Sequence, residues 1–268
     1  MFANKRKLAL LVCILALCLL ATVPSSRAQE IKTIETRPGV TLPFLFHRPA
    51  ASPKGVMVIF SGGDGTRMFR ETLGRVHLGN NFLVRTSPEF VKNGYAVAIV
   101  DVPSDQASGM SPGFRTSPQH VQDIAKLIDF LDAQGLKPLY LVGTSMGTLS
   151  VASLGLELRD SRVKGLVLTS TVGGVGRLPL NRITLPVLMV HHGDDGCKFS
   201  PYRKALQLGK RISGSPKVNF VEVRGGDTRQ SDPCNPLSYH GFLGVEDQVV
   251  RVITDWAAGK SIPPQVGR

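Results

Sequence analysis

Leu141-Val142-Gly143-Thr144-Ser145-Met146-Gly147 carries an apolar, strand-like stretch into a Gly-x-Ser-x-Gly turn, and an apolar segment with helical character follows at 148–158. A strand that turns this abruptly into a helix holds its serine in a strained backbone conformation, and small residues two places before and two after relieve the crowding. Gly143 and Gly147 meet that need. The turn would lift the Ser145 hydroxyl out of a sheet and set the Met146 amide at a helix N-terminus, where it can stabilise developing negative charge. The bare pattern is common by chance, so its weight comes from the strand before it and the helix after it.

Working outward, short apolar, β-branched runs recur at 55–60, 95–100, 138–142, 163–169, 185–191 and 217–223. Continuous runs of this length suit strands buried on both faces. Helical periodicity is clearest over 118–134, where Val121, Ile124, Ile128 and Leu131 share one face and Gly135 provides a stop. A last amphipathic helix is expected at 246–258, with Val249, Val250, Ile253 and Trp256 on one side, and the Pro-containing end after Gly259 reads as a tail. Residues 29–49 read as a pair of edge strands joined by a turn at Gly39. Alternating strand and helix signals require crossover connections, so the class is α/β with a mostly parallel sheet covered by helices.

Residues 1–28 read as a signal peptide. Lys5, Arg6 and Lys7 precede the uncharged apolar run 8–21, and Ser26 and Ala28 supply the small-x-small pattern for a cut before Gln29. That run is shorter than the roughly 18 to 20 residues a membrane span needs, so stable membrane insertion is not expected. Residues 29–268 then form a single domain in an exported, periplasmic or secreted protein. Processing removes four basic residues and no acidic ones, taking the net charge from +12 to +8. Lys and Arg are scattered, without a run or an aromatic-interleaved patch, so a solvated basic surface is expected rather than a nucleic-acid partner. Cys197 and Cys234 remain, an even pair in a chain bound for an oxidising compartment, and a disulfide between them is expected.

With its strand before, its helix after and the residues downstream of it, the Ser145 turn resembles the nucleophile elbow of the α/β-hydrolase family. A serine hydroxyl needs an imidazole to take its proton and a carboxylate to orient that imidazole, and the family carries them in the order serine, acid, histidine. The strand over 187–191 runs into His192, Gly193, Asp194 and Asp195, which looks like the family's acid-bearing loop. Asp195 is the expected acid, with Asp194 as the competing one. Ser238-Tyr239-His240-Gly241-Phe242 lies between the last expected strand and the last helix, where the family keeps its histidine, so His240 is the expected base. The remaining histidines, His47, His77, His120, His191 and His192, read as exposed without a role or as packed near the site. A Cys197–Cys234 bridge would tie the acid loop to the histidine loop.

The family's second oxyanion donor comes from the loop after the strand ending at Phe60. Ser61-Gly62-Gly63-Asp64-Gly65 occupies that place, with serine where the family often has histidine, and the donor is Gly63 or Gly62. The resemblance implies acyl transfer on an ester, thioester or amide of a small molecule, needing no cofactor and no metal. Only about 14 residues separate the strands flanking 172–185, where the family often inserts a helical lid, so little cover is expected there. An open site suits a carboxylesterase or small peptidase-like hydrolase better than a lidded lipase.

Two other readings stand beside this one. Gly62-Gly63-Asp64-Gly65-Thr66 also resembles the phosphate-gripping loop of diacylglycerol and NAD kinases, in which clustered amides nest a phosphate. The fold could also persist as a binding module without activity. Phe82, Phe90 and Tyr95 read as core packing rather than a substrate slot, and 173–176 as a plain loop.

Overall fold

The computed structural model describes residues 29–66 and 68–267; the segment read as a signal peptide lies outside them. The strands are β1 (Gln29–Arg37), β2 (Val40–His47), β3 (Val56–Phe60), β4 (Phe69–Thr72), β5 (Arg75–Leu78), β6 (Ala96–Val100), β7 (Leu139–Thr144), β8 (Val163–Thr169), β9 (Val187–His192), β10 (Val218–Arg224) and β11 (Gln265–Gly267). Nine of them form one sheet in the order β1-β2-β6-β3-β7-β8-β9-β10-β11. β1 and β2 pair antiparallel, β2 joins β6 antiparallel, and every other pairing in this sheet is parallel.

The central strands are buried on both faces, and alternation along each divides the core in two. Val56, Val58 and Phe60 of β3, and Leu139 and Leu141 of β7, point into one apolar layer. Met57, Ile59, Tyr140 and Val142 point into the other. The first layer is closed by the helix Pro118–Asp132, the helix Gly147–Glu157 and the helix Tyr202–Arg211, the second chiefly by Phe82–Arg85, Ser87–Lys92 and Glu246–Ala257. Trp256 of the last helix packs over Gly165, where a Cβ would stand only 2.5 Å from its ring. The long helix Pro118–Asp132 begins where Ser117 accepts a hydrogen bond from the His120 amide and Pro118 takes the first helical position.

Three features depart from the sequence reading. The C-terminal end is not a tail: Gln265–Gly267 adds a parallel edge strand to β10, pairing Glu222 with Gln265 and Arg224 with Gly267. Three residues are too few to show a period, and the open edge of β10 supplies the template. The 173–176 loop is the start of a 3₁₀ turn, Gly173–Arg177. The hairpin β4–β5 had no strand signal. Its two turn residues, Leu73 and Gly74, both have positive φ, 52° and 72°. Tight hairpins of that hand favour Asn-Gly or Asp-Gly, so Leu-Gly conceals the turn.

Candidate active site

The elbow is built by steric necessity. Ser145 sits at φ 52°, in the left-handed region that non-glycine residues rarely occupy. Its amide donates to the Thr169 carbonyl at 3.0 Å, and its carbonyl accepts from the Thr148 amide at 3.0 Å and the Thr148 hydroxyl at 2.6 Å. A Cβ on Gly143 would stand 2.5 Å from the Gly147 carbonyl oxygen, and one on Gly147 would overlap the Phe60 carbonyl. Neither glycine can carry a side chain without opening the turn.

His240 lies in a one-turn 3₁₀ segment, Tyr239–Gly241, whose N-terminus is capped by Ser238: its Oγ accepts from the His240 amide at 3.1 Å and reaches the Pro233 and Asn235 carbonyls. The hydroxyl of Ser170, itself at positive φ, donates to the His240 carbonyl at 2.7 Å. The His240 ring meets Asp195: Nδ1 is 2.9 Å from Oδ2. Since the carboxylate can only accept, Nδ1 carries the proton and Nε2 presents its lone pair. Nε2 is buried without a hydrogen-bond partner. His240 lines a cavity of about 220 Å³ that Ser145, Gly62, Gly63, Asn81 and Phe82 also line.

Asp194, by contrast, is more than half exposed and pairs with Arg224 at 3.1 Å. The structure therefore brings Asp195, and not Asp194, to His240. Asp195 Oδ1 accepts from the Cys197 amide at 2.9 Å, and Oδ2 accepts from the Ser200 hydroxyl at 2.9 Å as well as from His240. His191 Nε2 is 3.4 Å from the same oxygen while making its short contact, 2.8 Å, to the Ser200 carbonyl. Burial works to raise Asp195, but the contacts from His191 and His240, with the Cys197 amide, outweigh it and hold the carboxyl well below the usual carboxylate range.

Cys197 and Cys234 are joined by a disulfide, Cα to Cα 4.5 Å. Cys234 lines the cavity, so the bridge ties the acid loop to the wall that leads into His240. Gly62 and Gly63 also line it. A Cβ on Gly62 would be 3.0 Å from Ser145 Cβ, whereas Gly63, at φ 61°, has its carbonyl drawn 3.1 Å to the buried Arg115 guanidinium. Among the described residues no backbone carbonyl accepts from the amides of Met146, Gly62 or Gly63. The rest of the GGDGT stretch is occupied internally: Asp64 Oδ1 accepts from the Thr66 amide and hydroxyl, and the Asp64 carbonyl accepts from Met110.

Sequence reasoning passed over Ser200, His191 as a neighbour of the acid, Asn81 and Arg115. Ser200 and His191 lie within five residues of Asp195, but no motif marks either as its partner, whereas Asn81 and Arg115 lie far in sequence from the groups they approach. Phe82, read as core, is both buried and part of the cavity wall. The segment 172–185 holds only two short 3₁₀ turns, while Met68 and Asn80, flanking the β4–β5 hairpin, supply wall from a different part of the chain. Among the described residues, no group of three or more His, Cys, Asp or Glu could hold a metal ion, and no helix is long and apolar enough to cross a membrane.

The family described as serine aminopeptidase, S33, matches residues 80–188, less than half of the chain; the match includes Ser145 and ends before Asp195 and His240. No curated protein matches in sequence. Solved structures are similar across most of the chain. A dienelactone hydrolase from Anabaena variabilis is 14% identical with a TM-score of 0.62, covering 88% of this chain and all of its own. Est1E from Butyrivibrio proteoclasticus, solved with ferulic acid, is 14% identical with a TM-score of 0.61, covering 85% of this chain and 98% of its own. A cold-adapted esterase from an Arctic intertidal metagenomic library is 17% identical with a TM-score of 0.56, covering 86% and 97%. With the mostly parallel sheet and the elbow between β7 and its helix, these likenesses show that the chain has the α/β-hydrolase fold.

Proposed function

We propose that the chain is a serine hydrolase that cleaves esters of small molecules through an acyl-enzyme on Ser145, with His240 as base and Asp195 as the orienting carboxylate. The observation that carries this reading is His240: Nδ1 is bonded to Asp195, Nε2 is left unpartnered, and the residue lines the same cavity as Ser145. As Ser145 Oγ bonds to the carbonyl carbon, its proton passes to Nε2 and the carbonyl π pair moves onto oxygen, which the Met146 amide and that of Gly62 or Gly63 receive. Collapse expels the leaving group, which takes the proton back from Nε2. Water, deprotonated by the same nitrogen, then releases the acid and restores Ser145.

A cavity of about 220 Å³ is below the several hundred Å³ typical of drug-sized ligands, which favours short acyl groups. Names of similar structures, esterase and dienelactone hydrolase, favour ester chemistry over amide. We place the enzyme outside the cytoplasm, on the basic, apolar N-terminal segment and the disulfide. A fluorophosphonate probe, with a panel of p-nitrophenyl esters of increasing chain length, tests the reading. Wild type should label and turn over the shorter esters, and Ser145→Ala should do neither. A wild type that does not label would leave a binding module.

A further inference from the structure

Asn81 immediately precedes the short helix Phe82–Arg85, at the position where an asparagine side chain ordinarily accepts a hydrogen bond from the first turn. Here it makes no such bond. Its backbone does the usual work, its carbonyl accepting from the Val84 and Arg85 amides at 3.0 and 2.9 Å. Asn81 instead lines the cavity that Ser145 and His240 also line. Oδ1 is buried with no partner. Nδ2 lies 3.4 Å from where a Cβ on Gly62 would stand, and that same point is 3.0 Å from Ser145 Cβ. The reverse orientation would bury two unpaired donors in place of one unpaired acceptor.

The backbone segment that carries Asn81 is held against the histidine loop. Phe82 packs edge-on against Phe242, ring centroids 4.8 Å apart. Arg85 donates to the Gly241 carbonyl at 2.7 Å and pairs with Glu246 at 2.8 Å, clamping the strand-to-helix entry at Asn81 to the loop that carries His240. The orphaned Oδ1 is an acceptor and speaks only to which way the amide faces; what points to function is Nδ2, a donor with no side-chain or backbone partner among the described residues, beside Gly62 and Ser145.

We propose that Asn81 Nδ2 is a side-chain donor of the oxyanion site, acting with the Met146 amide and that of Gly62 or Gly63 on the charge that forms when Ser145 attacks. The inference rests on the serine hydrolase reading above. Such a donor is worth most in the transition state, when the carbonyl oxygen has become an alkoxide, and little in the substrate complex.

The test uses the mature chain with Asn81→Ala, Asn81→Asp and Asn81→Ser, alongside wild type and Ser145→Ala. Steady-state turnover of the best p-nitrophenyl ester, the rate of fluorophosphonate labelling and thermal unfolding are measured on each. The expected result is a fall in kcat of about 10²- to 10³-fold in all three, with KM within about two-fold. Phosphonylation should slow in parallel, since its transition state also places charge on oxygen. Because the native side chain makes no cap bond, Asn81→Ser, which can make one, should unfold no lower than wild type while losing activity. If Asn81→Ala fails to fold, Asn81→Ser and the near-isosteric Asn81→Asp decide. A kcat within three-fold of wild type in the folded variants, or a rise in KM alone, would overturn the proposal and leave the serine hydrolase reading standing. A wild type as inert as Ser145→Ala would remove both.

Discussion

Opening the Cys197–Cys234 bridge should cost both stability and turnover, and the two losses can be read separately. The bridge closes a segment whose ends are 37 residues apart in sequence, which in the chain-entropy treatment corresponds to about 4 kcal/mol. For a domain of this size each kcal/mol moves the midpoint by roughly 2–4 °C, so the double variant Cys197→Ser/Cys234→Ser should melt about 8–16 °C lower. The catalytic loss has a distinct origin: the Cys197 amide holds Asp195 Oδ1, and Cys234 stands in the cavity wall four residues before Ser238, whose hydroxyl fixes the His240 amide. Freed from each other, the two loops should hold the Asp195–His240 pair less of the time, and kcat should fall several-fold well below either melting point. Calorimetry of the oxidised, reduced and double-variant protein, with ester turnover at one low temperature, measures both. A melting shift under about 3 °C, or two free thiols by mass spectrometry in protein from an oxidising compartment, would refute the reasoning.

Three further outcomes follow from the same geometry. Asp195→Asn should lower kcat by about 10⁴-fold, because an amide no longer holds the imidazole in the required tautomer, whereas Asp194→Asn, whose carboxylate is exposed on Arg224, should change it little; comparable losses, or the reverse order, in ester turnover would overturn the assignment. Ser200→Ala removes one of the hydrogen bonds on Asp195 Oδ2, a loss of about 1.5–3 kcal/mol for a bond to a charged group. Denaturant unfolding should report it, with a smaller fall in kcat than Asp195→Asn, and unchanged stability and kcat would show that the hydroxyl is idle. Since Asp195 is held below the usual carboxylate range, its contribution to stability is fully present above the ordinary value of about 3.9 and is lost as pH falls below it. Between pH 5 and pH 2 wild type should therefore lose more stability to acid than Asp195→Asn, and parallel curves from urea titrations across that range would count against it.

Much of the fold was legible because its signals are local. A buried parallel strand must be apolar on both sides, and the six runs from 55 to 223 each became a strand within one or two residues of the expected bounds. The elbow declared itself because its geometry excludes a Cβ at two fixed places around Ser145. The helices Pro118–Asp132 and Glu246–Ala257 announced themselves through a 3.6-residue period, and a glycine just beyond each marked its end.

By itself, then, the sequence determined the layer architecture and the position of Ser145, since each rests on residue type at short spacing, and it pointed to the pairing of Cys197 with Cys234. Only the tertiary structure decided which aspartate faces His240. Asp194 and Asp195 are neighbours of the same type, and what separates them is the register of β9 on β10, which puts Arg224 beside the first, and the disulfide-held return of the histidine loop, which leaves the second buried against His240. Ser200 and Asn81 could not be read from their own surroundings either. Ser200 Oγ lies 3.0 Å from His240 Nδ1 and Asn81 lines the same cavity as Ser145, and such contacts exist only once the strands have stacked in order and brought their ends to one edge of the sheet.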